Sequence, residues 1–156
     1  MGLSSKSTAP VRAQKGNQSQ AIGKSRVGVT TKILALKDAL GNMADFCLLP
    51  GLAHDLRGVP ELIKGLHADH MLADRAFDAD WLRKSLLEHG IMPVIPPRKN
   101  RKHPAGYDKE MYKWRHLVEN FFQKVKDYRG IATRYCKTDS SFTAFISLVS
   151  TVFWLK

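Results

Sequence analysis

Acidic residues are scarce in this chain, and its opening stretch has none. Asp and Glu number 14 against 25 Lys and Arg, and no acid occurs in residues 1–26. The formal net charge is +11. Such an excess favours a polyanionic partner, either nucleic acid or an anionic membrane surface. Cysteine is rarer still. Cys47 and Cys136 are too few for a disulfide framework and share no CxxC spacing, which excludes the usual zinc sites. They read as reduced cytosolic thiols, Cys47 buried in a strand. No apolar run reaches the roughly 20 residues that cross a bilayer. The start, MGLSS, lacks a signal-peptide core, and Lys6 stands where N-myristoylation needs Ser or Thr.

What is present is enough for one folded domain. The 156 residues are 44% hydrophobic, which supports a core but is too short a chain for two ordinary domains. The most informative stretch is YKWRHLVENFFQKVK, Tyr112 to Lys126. Trp114, Leu117, Val118, Phe121, Phe122 and Val125 recur at helical spacing and form one broad apolar face. Lys113, His116, Asn120, Lys124 and Asp127 fall on a separate arc that faces water. Tyr112, Arg115, Glu119 and Lys126 gather on a third arc, at the rim of the apolar one. A glutamate flanked by two cations there can hold a metal or an acidic substrate. It can equally be an i, i+4 ion-pair ladder between Arg115 and Glu119.

The remaining stretches alternate between strand and helix. Residues 1–26 form a basic, poorly ordered segment with a degraded first strand, carrying Lys6, Arg12, Lys15, Lys24 and Arg26, which suits a flexible tail or a phosphate-contacting arm. VGVTTKILALK, residues 27–37, reads as a half-buried strand, Gly41-Asn42 as a turn, and Met43 to Leu49 as the returning strand of a hairpin. Asp55, Pro60 and Gly65 suggest a cap, a start and an end for a short helix, with His54 beside the cap. Met71 to Ala73 are a short buried strand with Asp74 at its carboxyl end, where α/β sheets place functional groups. Asp74 admits the alternative of a loop acid paired with Arg75. Asp78 or Asp80 then caps the helix WLRKSLLEHG, closed by Gly90. IMPVIPP, residues 91–97, is a strand with a Pro-Pro stop. The cationic run Arg98, Lys99, Arg101, Lys102 and His103 follows, either a solvated loop or a phosphate clamp. Phe142 to Leu155 is an apolar helix, too short for a membrane, that packs on the sheet. The order describes an α/β domain with a mixed sheet over residues 27–156.

Tyr112, Arg115, Glu119 and Lys126 follow Tyr-x2-Arg-x3-Glu-x6-Lys, and in this the chain resembles bacterial insertion-sequence transposases of the DDE type. LADRAFD around Asp74, GVTTKILALKDALGN and the Pro-Pro-Arg run resemble the same family, so that the likeness extends from about Ser7 onward. The resemblance implies an RNase H-like fold, a mixed sheet flanked by helices. It implies Asp74 and Glu119 as catalytic, metal-holding carboxylates for Mg2+ or Mn2+, hard ions that prefer oxygen ligands. It implies Tyr112, Arg115, Lys126 and the cations Arg98, Lys99, Arg101 and Lys102 as DNA contacts, with Arg129 and Arg134 extending that surface. The partners would be the element's inverted-repeat ends and target DNA. The implied setting is the bacterial cytoplasm, at the nucleoid; the reading admits a homo-oligomer and needs no membrane.

The family's first catalytic aspartate precedes a Ser-Thr pair and a Val-Arg-Ala run. Here Lys6 holds that slot before Ser7-Thr8, and Pro10 interrupts the strand. A cation there would repel the ions. The expectation is therefore a transposase chain, truncated or a second-frame product, that cuts DNA poorly by itself. The alternatives are a non-catalytic DNA-binding fragment or regulator of transposition, and an RNA-associated protein, which no RNP-like or KH-like motif supports.

Overall fold

The chain's structure, a computed structural model, describes residues 2–10, 20–25 and 28–155, and the side chains of residues 20–23, 30–117 and 119–155. Its centre is β3, Gly28–Lys37. Ile33, Leu34, Ala35 and Leu36 are all at most 3% exposed. Successive side chains of a strand point to opposite faces, so an unbroken apolar run is stable only with cover on both sides. Leu34 and Leu36 join one core, with Val59, Leu62, Met71, Phe77, Leu82 and Leu86. Ile33 and Ala35 join the other, with Phe121, Phe122, Val125, Phe142, Ile146 and Val149.

The hairpin forms as the sequence reading expects. β4, Met43–Pro50, runs antiparallel to β3. Between them Asp38 accepts the Asn42 amide at 2.8 Å, and Gly41 takes a positive φ of 89° that glycine adopts without steric cost. On its other edge β3 pairs antiparallel with β1, Gly2–Pro10. β1 pairs in parallel with β5, His70–Ala73, which pairs in parallel with β6, Met92–Val94. A short strand β2, Gly23–Ser25, flanks the Thr30 end of β3. The order β4-β3-β1-β5-β6, with only β3 reversed and helices on both faces, is the RNase H-like arrangement.

The backbone of residues 2–10, within the basic segment read as carrying a degraded first strand, is the middle strand of the sheet. Lys6 lies opposite Ile33, and Pro10 is the last residue of β1, beyond a register shift after Thr8. A proline is tolerated at such a terminus because no further ladder donor is needed. Of the basic arm, Arg12, Lys15 and Arg26 lie outside the described residues.

On the first face lie α1, Val59–Leu62, and α2, Asp80–Glu88. On the second lie α4, His116–Lys126, α5, Arg129–Ala132, and α6, Asp139–Trp154. The short helix α3, Lys109–Tyr112, leads into α4 through a single 3-10 turn over Lys113–Arg115. That turn corrects one expectation. Trp114, expected in the apolar face, is 62% exposed, whereas Phe121, Phe122 and Val125 are buried. A 3-10 turn advances each residue by about 120° instead of 100°, which carries Trp114 off the apolar arc. On α6, Phe142, Ile146 and Val149 pack inward while Leu148 and Val152 stay exposed. No helix among the described residues is long and apolar enough to cross a membrane.

Two close contacts fix where the flanking helices sit. Gly58, just before α1, faces β4 so tightly that an added Cβ would lie 2.5 Å from Cys47 Sγ and 2.9 Å from Leu34 Cδ2. Burial in this contact pushes the Cys47 thiol up to about 12, so it is an inert packing group. On the other face, the fully buried Lys37 donates its amine to the Leu117 carbonyl of α4 at 2.8 Å and lies 4.5 Å from the Phe121 ring centre. Loss of hydration pushes this amine down to about 8.

Gly58→Ala is expected to lower stability by about 1–3 kcal/mol in urea unfolding, because backbone and core must both shift to admit the methyl. Lys37 gives a pH signature. Its amine is charged in the unfolded chain up to about 10.5 and in the folded chain only up to about 8. The unfolded state therefore binds the extra proton between those values, and stability gains up to about 3 kcal/mol as pH rises through that window. Comparing urea midpoints of the wild type and Lys37→Met at pH 7.5 and 10 checks it: the gain should appear in the wild type alone.

Candidate active site

Asp74 follows β5 directly, at the carboxyl edge of the parallel strands. It caps nothing: its side chain makes no bond to the 3-10 turn Arg75–Phe77 that it precedes. Instead it turns toward the helix on the opposite face. Arg115 Nη1 contacts Asp74 Oδ1, and the Tyr112 hydroxyl donates to the same oxygen at 3.5 Å. The other terminal nitrogen, Arg115 Nη2, lies 3.0 Å from Glu119 Oε1. One guanidinium thus bridges two carboxylates that are 45 residues apart in sequence and come from different elements.

Local geometry explains half of this. Arg115 and Glu119 are an i, i+4 pair, adjacent on any helix. Asp74 joins them only because β5 ends where α3 meets α4. Neither alternative reading of these acids accounts for the whole arrangement: the helix ladder is real but incomplete, and Asp74 pairs with Arg115, not with Arg75. The Arg115 guanidinium stacks 5.5 Å from the Tyr112 ring centre. Burial alone would lower the affinity of Arg115 for its proton, but Asp74, Tyr112 and Glu119 outweigh it and raise it. The Tyr112 hydroxyl is likewise raised, first by burial and then by Asp74, against the pull of Arg115. The site is half open: the side chains of Arg115, Asp74 and Glu119 are 30%, 34% and 44% exposed.

The two carboxylates are oxygen donors already meeting at one cation, which is the donor chemistry a hard divalent ion takes. They fit such an ion as a two-carboxylate site. Among the described residues no three His, Cys, Asp or Glu side chains gather at one point. The position from which the third acid is expected is held by Lys6.

The remaining cations are divided. Lys126 lies two turns beyond Glu119 on α4, on the same arc and exposed. Lys99 and Lys102 are exposed. Arg98 is exposed as well, though its guanidinium donates to the Ala76 carbonyl at 2.9 Å. Arg101 is not free. It donates to Asp78 Oδ1 at 2.9 Å and contacts Asp80. Arg134 is 1% exposed, donates to Thr31 Oγ1 at 2.7 Å and forms an ion pair with Asp139 Oδ1 at 2.7 Å, so it builds the core and does not extend an outer surface. Arg129 remains exposed.

Sequence reasoning missed the group that holds this loop in place. Asp78, expected as a helix cap, is buried and caps nothing. Its carboxylate accepts from Arg83 Nε at 2.8 Å, from the Arg98 amide at 2.8 Å and from Arg101. Burial would raise its proton affinity, yet the Arg98 amide and the two guanidiniums outweigh that and lower it. His54, not Asp55, caps the turn at Asp55–Arg57; Asp55 pairs with Lys32 at 2.6 Å. The spacing of Asp78 and Arg83 was the available signal, since a cap has no need of an arginine five residues on.

Asp78→Asn is expected to cost about 2–3 kcal/mol at pH 7, by leaving two guanidiniums short of their counter-charge. The folded-state affinity for a proton is depressed, so this contribution is present above the ordinary value of 3.8 and is lost as pH falls below it toward the folded-state value. Urea midpoints of the two proteins should therefore differ at pH 7 and draw together near pH 3.

Comparison with known proteins gives the chain's family. Two models of a "Transposase DDE domain" match the chain, over residues 6–104 and 71–156. The protein described as "Putative transposase for insertion sequence element IS6501", from Brucella ovis, is 35% identical over 130 residues, covering 82% of this chain and all of that protein. Among solved structures, the piggyBac transposase synaptic complex with hairpin DNA aligns at 17% identity with a TM-score of 0.45, over 65% of this chain and 23% of that one. This chain belongs to the DDE transposase family of insertion sequences.

Proposed function

We propose that Asp74 and Glu119 are the acidic residues through which this transposase acts on DNA, and that the chain by itself binds DNA well and cuts it poorly. The observation that supports this is the shared guanidinium: a strand-end acid and a mid-helix acid converge at the carboxyl edge of the sheet. Such a pair holds Mg2+ or Mn2+. When bound, the ion supplies charge neutralisation at phosphorus and an activated oxygen nucleophile. The chain's own residues do the positioning. Tyr112 orients Asp74 by its hydroxyl. Arg115 and Lys126, on the same helical arc, neutralise phosphate oxygens on element-end DNA. Arg98, Lys99 and Lys102 carry the backbone past the site, while Arg101 holds their loop to Asp78.

Lys6 is the reason for poor cutting. By sequence it occupies the family's first-aspartate position on β1, so a lysine stands in the chain where the family has the acid that helps balance the ions. A second reading, a non-catalytic DNA-binding regulator built on the same fold, draws on that lysine together with the net charge of +11.

Both readings expect salt-dependent binding to duplex DNA, with affinity falling steeply between 50 and 200 mM salt. They part in a strand-cleavage assay on inverted-repeat DNA with Mg2+ or Mn2+. Lys6→Asp is expected to raise cleavage at least ~10-fold over the unaltered chain, and Glu119→Gln or Asp74→Asn on that background to abolish the gain. Cleavage that survives Glu119→Gln would mean the acids are misassigned. A Lys6→Asp chain that binds DNA and cuts no better would favour the regulator.

A further inference from the structure

We infer that Arg115 occupies the divalent ion's place between Asp74 and Glu119, so that ion and guanidinium exclude each other and the arginine must swing away before the ion binds. This rests on the reading of Asp74 and Glu119 given above.

The geometry of the fork carries the argument. An arginine pairing with a carboxylate ordinarily sets two nitrogens against the two oxygens of one acid. Arg115 does otherwise: Nη1 goes to Asp74 and Nη2 to Glu119. It joins two acids, as a bridging metal ion does. The oxygens it engages are Asp74 Oδ1 and Glu119 Oε1, one from each acid. An ion taken up by this pair of acids would need the same two oxygens that the guanidinium already engages. Charge leads to the same conclusion. One guanidinium leaves the two-acid site with a single net negative charge, and a divalent ion alone neutralises it. Both together would give a net positive site with two cations in contact.

The arginine is also able to leave. Its side chain is long and 30% exposed, and it springs from the 3-10 turn that precedes α4, not from the middle of a packed helix. What it would meet on leaving is a question of charge. A phosphate oxygen at the same rim would accept the freed fork and complete the exchange. Ion binding and polyanion binding are then coupled, each strengthening the other through one side chain.

The test uses the whole chain and Mn2+ alone, with free Mn2+ followed by its electron paramagnetic resonance signal. Arg115→Gln is expected to bind Mn2+ about tenfold or more tightly than the wild type, and Asp74→Asn added to it to remove that gain. Thermal unfolding followed by circular dichroism gives a second readout. Without metal, Arg115→Gln should melt below the wild type, because two acids face each other unscreened; Mn2+ should raise its Tm more than that of the wild type. Should Arg115→Gln fail to fold, Arg115→Lys keeps one charge but cannot span both acids, and it should fall between the two in Mn2+ affinity. Equal Mn2+ affinity in the wild type and the folded Arg115 variant, abolished by Asp74→Asn, would overturn the exchange while leaving the two-acid site standing. Failure of either protein to bind Mn2+ would overturn both.

Discussion

Burial of β3 on both faces is the constraint from which the rest of this domain follows. A strand whose four central side chains are all lost to solvent cannot lie at the surface of a sheet. It must be covered twice, and each cover fixes one half of the site. The α1–α2 face seats β5 against its neighbours and brings Asp74 to the carboxyl edge. The opposite face seats α4, with Glu119 one turn in and Lys37 bonded to its Leu117 carbonyl. Two acids that share no element meet because one strand demands both layers.

The site uses charge in two ways. Around Asp78 the charges are settled: a buried carboxylate is fully engaged by two guanidiniums and a backbone amide, and the pairing serves architecture. Around Asp74 and Glu119 they are not. The groups are partly hydrated, two acids share one cation, and the balance is left with one net negative charge. This contrast separates an ion cluster that serves architecture from the candidate site.

Much of this was legible in the residues. Alternating apolar residues and Gly41-Asn42 mark the hairpin, the apolar triplet before Asp74 marks a strand end, and the spacing of Phe121, Phe122 and Val125 marks the buried face of α4. All but one of the failures share a cause, a contact made outside the local stretch. Lys37 looks like a solvated strand terminus until α4 supplies its acceptor. Arg134 looks like part of a basic surface until Thr31 and Asp139 enclose it. Asp78 looks like a cap because capping is the local use of an aspartate, and its three donors lie 5, 20 and 23 residues away. Trp114 failed for a local reason, since one tight turn changes the angular step and the periodicity cannot report it.

The topology also sets the order in which the molecule can be assembled. β1 precedes the other described strands in the chain yet lies in the middle, and its parallel partner β5 sets Ala73 beside Leu3. The antiparallel strands can pair early, but the Ile33 and Ala35 face of β3 waits for Phe142, Ile146 and Val149 of the last helix. At a ribosomal pace of about 5–20 residues per second, that face is incompletely covered for roughly 5–20 s during synthesis. A half-made sheet with one greasy side invites aggregation for that interval, so the yield of soluble protein in a cell depends on translation speed and chaperone supply as well as on the finished fold.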